Sequence, residues 1–113
     1  MSLDEFREYY EKNHIPLVIR TVRSTLPPGA AFPTLVYKRR YVDAQTPILT
    51  ASGEHVGFDC MTEIQFESKE AFEKHWIAPL SQNKAIVEDE ENFLDRTKIM
   101  AYEFEMYKTE NGN

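Results

Sequence analysis

The sequence predicts an α+β domain of ferredoxin-like plan, and three observations carry that prediction. A capped amphipathic helix opens the chain. Three later stretches are enriched in β-branched and aromatic residues and alternate along the chain with the period of a strand. A second helical region lies between the second and third of those stretches, so the order is helix, strand, strand, helix, strand, which is the βαββαβ plan without its first strand.

Met1-Ser2-Leu3-Asp4-Glu5-Phe6 is the helix start. Ser2 and Glu5 have the S-x-x-E spacing of a capping box, in which each side chain satisfies a backbone N–H that the helix leaves unpaired, and Met1 and Phe6 are spaced for a hydrophobic staple. The helix is expected from Leu3, with Leu3, Phe6, Tyr10 and His14 on one side of it. Pro16 lacks a backbone donor and disfavours helical geometry at Ile15, which predicts a break or kink before a second helical piece over Leu17–Thr25. Pro27-Pro28-Gly29 ends that piece.

Thr34–Val42 reads as a strand with Leu35, Tyr37, Arg39 and Tyr41 on one face and Val36, Lys38, Arg40 and Val42 on the other. Asp43–Gly57 shifts to turn formers and is expected to be a long surface loop carrying His55. Phe58–Phe66 is the next strand, alternating Phe58, Cys60, Thr62, Ile64 and Phe66 against Asp59, Met61, Glu63 and Gln65. Ser68 is placed to cap a helix containing Phe72, His75 and Trp76, which Pro79 is expected to end. Ala85–Phe93 has a shorter helical pattern, and Thr97–Tyr107 alternates again as a last strand. Residues 1–108 form the expected domain and 109–113 a disordered tail. Because the capping box begins at residue 2, no room remains for a preceding strand, so the expectation is either that the chain is cut or starts from an internal methionine, or that something else covers the exposed sheet edge.

Composition narrows the function classes. The chain has 113 residues, 42% of them apolar and 28% charged, which is an ordinary globular balance for one domain. A domain of this size buries about two thirds of its unfolded surface, so pairing with a second copy would enlarge its core. The net charge of −6 opposes binding to nucleic acid, since Lys38, Arg39 and Arg40 are too few and too local to replace phosphate counterions. The sequence shows neither an apolar run long enough to span a membrane nor the order of a signal peptide, and the expected place is the cytoplasm. A single cysteine, Cys60, excludes an internal disulfide and leaves no zinc-type cluster.

Asp4-Glu5-Phe6-Arg7-Glu8-Tyr9-Tyr10 followed by His14-Ile15-Pro16-Leu17 resembles the first helix of EthD-domain proteins, members of the dimeric α/β barrel superfamily. Arg39-Arg40-Tyr41-Val42, Phe58-Asp59-Cys60-Met61-Thr62-Glu63 and Asp89-Glu90-Glu91-Asn92-Phe93-Leu94-Asp95-Arg96 fall in the order of motifs of its fungal branch. The chain departs from the pattern in two ways: the opening strand is missing, and Arg40 stands where a histidine is expected. The resemblance implies a homodimer whose two sheets enclose a pocket, and a cofactor-independent decarboxylase or dehydratase acting there on an aromatic, polyketide-like intermediate of secondary metabolism. It implies no metal, flavin or nicotinamide, and the sequence has no Gly-rich phosphate loop.

His14 is the first candidate for catalysis: an imidazole titrates near neutrality and serves as acid or base, and the resemblance puts a functional histidine here. Asp59 and Glu63 share a strand face about 13 Å apart, too far for a carboxylate dyad, and are candidates to orient His14 or the substrate. Tyr37 and Tyr41, also on one face, are candidates to stack on an aromatic substrate or to donate to a developing oxyanion. Arg39 and Arg40 point to opposite faces, so at most one is expected to meet a substrate carboxylate. His55 becomes a substrate contact if its loop closes over the pocket. The bland alternatives are a helix-terminal histidine bound to a carbonyl, carboxylates paired with Arg39 or Arg40, and tyrosines in ordinary cross-strand packing. His75 with Trp76 reads as packing, Cys60 as an inert core thiol, and Glu88–Glu91 as a solvated helical face. Two rival functions stand beside the lyase: a non-catalytic binding or accessory subunit of the same fold, and a cofactor-free monooxygenase.

Overall fold

The structure, a computed structural model, describes residues 1–42 and 57–104. The chain opens with α1 (Leu3–Tyr9), passes through a π turn (Tyr10–His14) and continues as α2 (Ile15–Ser24). The capping box forms as the sequence predicts: the Glu5 N–H donates to Ser2 Oγ at 3.1 Å and the Ser2 N–H to Glu5 Oε1 at 3.3 Å. Met1 is left exposed rather than closing a staple, and Phe6 packs instead on Tyr10, Tyr41 and Phe93.

Neither proline breaks its helix. The π turn ahead of Pro16 shifts the hydrogen bonds to i→i+5, with the Ile15 N–H donating to the Tyr10 carbonyl, so the chain winds wider just where the proline ring would collide with the carbonyl four residues back. The second helical region repeats the device. There α3 (Lys69–Phe72), capped by Ser68 Oγ on the Ala71 N–H at 3.0 Å, leads through a second π turn (Glu73–Ile77) into α4 (Ala78–Ser81), which contains Pro79. Asn83 Oδ1 then accepts from the Ala85 and Ile86 N–H groups and starts α5 (Lys84–Glu91).

Two strands form an antiparallel sheet, β1 (Thr34–Tyr41) and β2 (Cys60–Phe66), with Tyr37 opposite Ile64, Arg39 opposite Thr62 and Tyr41 opposite Cys60. The register slips by one residue between Thr34 and Val36. Tyr37, Ile64 and Phe66 lie on the helices, where they meet the core of Val18, Val22, Trp76 and Ile86. Side chains alternate across a strand, so Lys38, Arg40, Met61, Glu63 and Gln65 are carried on the opposite face. Trp76 anchors the core, with its ring edge-on to those of Tyr37 at 5.3 Å and Phe66 at 5.6 Å.

The expected last strand is not formed among the described residues. A 3₁₀ turn (Arg96–Lys98) is followed by residues 99–104 without a ladder, and Met100, Tyr102 and Phe104 are exposed. A period-two pattern supplies only one half of a strand; the other is a neighbouring backbone to accept its N–H and C=O groups, and neither β1 nor β2 accepts this segment. Residues 105–107 of that stretch, and His55 with most of its loop, lie outside the described residues.

Candidate active site

The first rod of helix and α5 meet at His14. It sits at the end of the first π turn and is only 5% exposed. Its Nδ1 is 2.8 Å from Asp89 Oδ2, and its Nε2 is 3.9 Å from Glu90 Oε1. The other oxygen of Asp89, Oδ1, accepts the Tyr9 hydroxyl at 2.6 Å. Burial pushes the Asp89 carboxyl up, but the hydrogen bonds from Tyr9 and His14 together outweigh it and hold the group below its ordinary value. Asp89 is therefore a carboxylate at neutral pH. An ionised carboxylate only accepts hydrogen bonds, so Nδ1 carries the proton, and in neutral His14 the free lone pair lies on Nε2.

Aromatic rings wall this pair. Phe93 lies 4.9 Å from the imidazole centroid and Tyr10 5.6 Å from it, with Phe6, Tyr9 and Tyr41 packed behind them. Burial raises the Tyr10 hydroxyl above its ordinary value and leaves it protonated.

A second polar cluster lies between the first π turn and β1. Glu11 takes a bidentate contact from Arg39, Nε to Oε2 at 2.8 Å and Nη2 to Oε1 at 2.5 Å, and also accepts the Tyr41 hydroxyl. The guanidinium holds Glu11 below the usual carboxylate range against the opposing effect of partial burial. Burial and the adjacent Glu11 carboxylate keep Tyr41 protonated. Tyr37 lies under the Arg39 guanidinium at 4.9 Å and against Trp76. Arg39, Tyr37 and Tyr41 are thus brought together, on the helix side of the sheet and engaged with protein partners.

Asp59 and Glu63 do not join His14. Asp59 is exposed just ahead of β2, where its carbonyl accepts the Val42 N–H at 2.9 Å. Glu63 is on the outward face, bound by the Gln65 amide at 2.7 Å and the Arg40 guanidinium at 3.2 Å, and both hold its carboxyl low. His75 is exposed although Trp76 beside it is buried. Cys60 is half-buried, and desolvation raises its thiol.

Sequence reasoning missed Asp89 as the partner of His14. The acidic run is not one solvated face: Glu88 points to solvent, whereas Asp89 is 15% exposed and turned inward. The signal was present in the Asp89-Glu90-x-x-Phe93 patch, whose first residue holds His14 and whose last covers it. Two surface depressions, of about 340 and 530 Å³, run along the outer side of the first rod; Tyr9 lines the smaller with Glu5, Glu8, Lys12 and Asn13, and His14 lines neither. Among the described residues no three His, Cys, Asp or Glu side chains are grouped to hold a metal ion, and no helix is long and apolar enough to cross a membrane.

No curated protein and no solved structure matches the chain. A family model for the EthD domain does, over residues 1–97, which takes in the first rod, both strands, the second helical region and the Asp89 patch. By that match the chain belongs to the EthD domain family.

Proposed function

We propose that this domain is a lyase that works by proton transfer from its own side chains, removing carbon dioxide or water from an aromatic, polyketide-like substrate, with His14 as acid and base. The observation that carries the reading is the buried imidazole whose Nδ1 is held by an ionised Asp89. An imidazole fixed in one tautomer by a carboxylate has a defined reacting nitrogen and a stabilised cation, which is what general acid–base catalysis needs. The aromatic rings of Phe93 and Tyr10 suit an aromatic substrate. In this reading the ferredoxin-like protomers pair through the outward sheet face that carries Lys38, Arg40 and Glu63, and each copy keeps its own His14 site in the helical layer, not in a hollow between the sheets.

A second reading, a non-catalytic binding subunit, is favoured by the near-complete burial of His14. One experiment separates the two. The purified protein is assayed for decarboxylation and dehydration against a panel of aromatic polyketide acids, beside His14→Gln. The lyase reading expects turnover that falls about 10²-fold or more in the variant. Thermal stabilisation by a panel member without turnover establishes the binding subunit, and turnover that is equal in the variant removes His14 from the chemistry.

A further inference from the structure

Tyr9 and His14 are five residues apart. On a regular α-helix that spacing is about 500° of winding, which leaves the two side chains about 140° apart. The π turn Tyr10–His14 lies between them, and in a π turn residues five apart stack one above the other, as the Ile15 N–H to Tyr10 carbonyl bond shows for their neighbours. The wider winding therefore brings Tyr9 onto the His14 side of the rod, where both reach one carboxylate: Tyr9 Oη to Asp89 Oδ1 at 2.6 Å, His14 Nδ1 to Asp89 Oδ2 at 2.8 Å. Asn92 Nδ2, just past α5, approaches the same phenol oxygen at 3.4 Å.

We infer that Tyr9 is a positioning residue of the His14 site, acting through Asp89: its hydroxyl engages one carboxylate oxygen so that the other is left in the plane of the imidazole. This rests on the reading of His14 as acid and base. Among the described residues, the titratable groups facing the imidazole are Tyr9 from α1, Tyr10 from its own turn, and Asp89 and Glu90 from α5. Tyr9 takes the Asp89 oxygen that His14 does not use, the Asn92 amide also acts on that carboxylate, and the Tyr9 ring backs Phe93 at 5.3 Å. A phenol that donates to a carboxylate lowers the basicity of that carboxylate and so weakens its hold on an imidazolium.

The test is Tyr9→Phe, which keeps the ring and removes the hydroxyl. The titration of the His14 imidazole, followed by its ring-proton NMR signal, is expected to move up by about half a pH unit or more, because the relieved carboxylate stabilises the cation better. In the Asp89→Asn background the same change should leave the midpoint in place. A midpoint that does not move in Tyr9→Phe, or that moves equally in both backgrounds, overturns the inference. The NMR readout needs no turnover, so its failure is distinct from failure of the catalytic reading, which His14→Gln decides. With turnover in hand, the acid limb of kcat in Tyr9→Phe should follow the NMR midpoint, a shift that a mere tie between helices would not produce.

Discussion

Replacing Asp89 with asparagine removes one negative charge from a site that two donors converge on. In the native chain each oxygen takes a charge-assisted hydrogen bond, from Tyr9 at 2.6 Å and from His14 at 2.8 Å. Such bonds contribute about 1.5–3 kcal/mol each, and asparagine keeps a single acceptor oxygen while its amide turns a donor toward the other partner. The expected loss is about 2–4 kcal/mol, toward the upper end for one substitution and a large share of the roughly 5–15 kcal/mol of a small domain. The assay is urea unfolding of both proteins across pH. The Asp89 carboxyl is lower in the folded protein than in the unfolded chain, so its contribution is complete above the unfolded value of about 3.9 and is lost as pH falls through the depressed folded value. The gap between wild type and Asp89→Asn should accordingly be widest near neutrality and close in acid. Equal midpoints at neutral pH, or a gap that persists unchanged in acid, would refute the reasoning.

Trp76→Ala should cost about 3–5 kcal/mol in urea unfolding, since it empties the space between Tyr37 and Phe66 at the centre of the core. Glu11→Gln should destabilise by about 1–2 kcal/mol at neutral pH, because the Arg39 fork and the Tyr41 hydroxyl lose a charged acceptor. Glu11 is held low in the fold, so this difference too should be present above the ordinary glutamate value and vanish below the depressed one. Arg40→Ala, which breaks only the exposed pair with Glu63, should leave the melting temperature within experimental scatter.

What could be read in advance follows how far the determining contacts reach along the chain. The Ser2–Glu5 box and the Ser68 cap are local, and both appear where the spacing of residues placed them. From Tyr37 to Tyr41 and along Cys60–Phe66 the faces were readable for the same reason, since alternation is a property of consecutive residues, whereas Leu35 is exposed at the register slip and Phe58 is exposed ahead of β2. Pro16 and Pro79 misled because a proline constrains only the turn before it, and each turn satisfied the constraint by winding wider instead of ending. Residues 99–104 carry a strand's alternation, yet pairing depends on a backbone elsewhere in the fold. Asp89 stands three residues after Ile86 and four before Phe93, on the packed face of α5, but its partner His14 is 75 positions away and lies outside any local pattern. The family-like patch around Asp89 was visible, but its physical meaning required the packing of the first rod against α5.

The proline-associated widening of the first rod sets a phase between its two halves. Phe6 and Tyr9 address the Phe93 end of α5, while Val18 and Val22 address Trp76 and Ile86, and one surplus residue in the winding makes both alignments possible at once. Winding the same residues as a regular α-helix would swing the upstream half by about 100° against the downstream half, whereas deleting one residue from Tyr10–His14 would restore ordinary coiling with the two halves still in phase. In regular coiling of unchanged length the core could stay seated while the phenol of Tyr9 swept off Asp89, so the wide winding of this segment, as much as the identity of its residues, decides that Tyr9 and His14 meet one carboxylate.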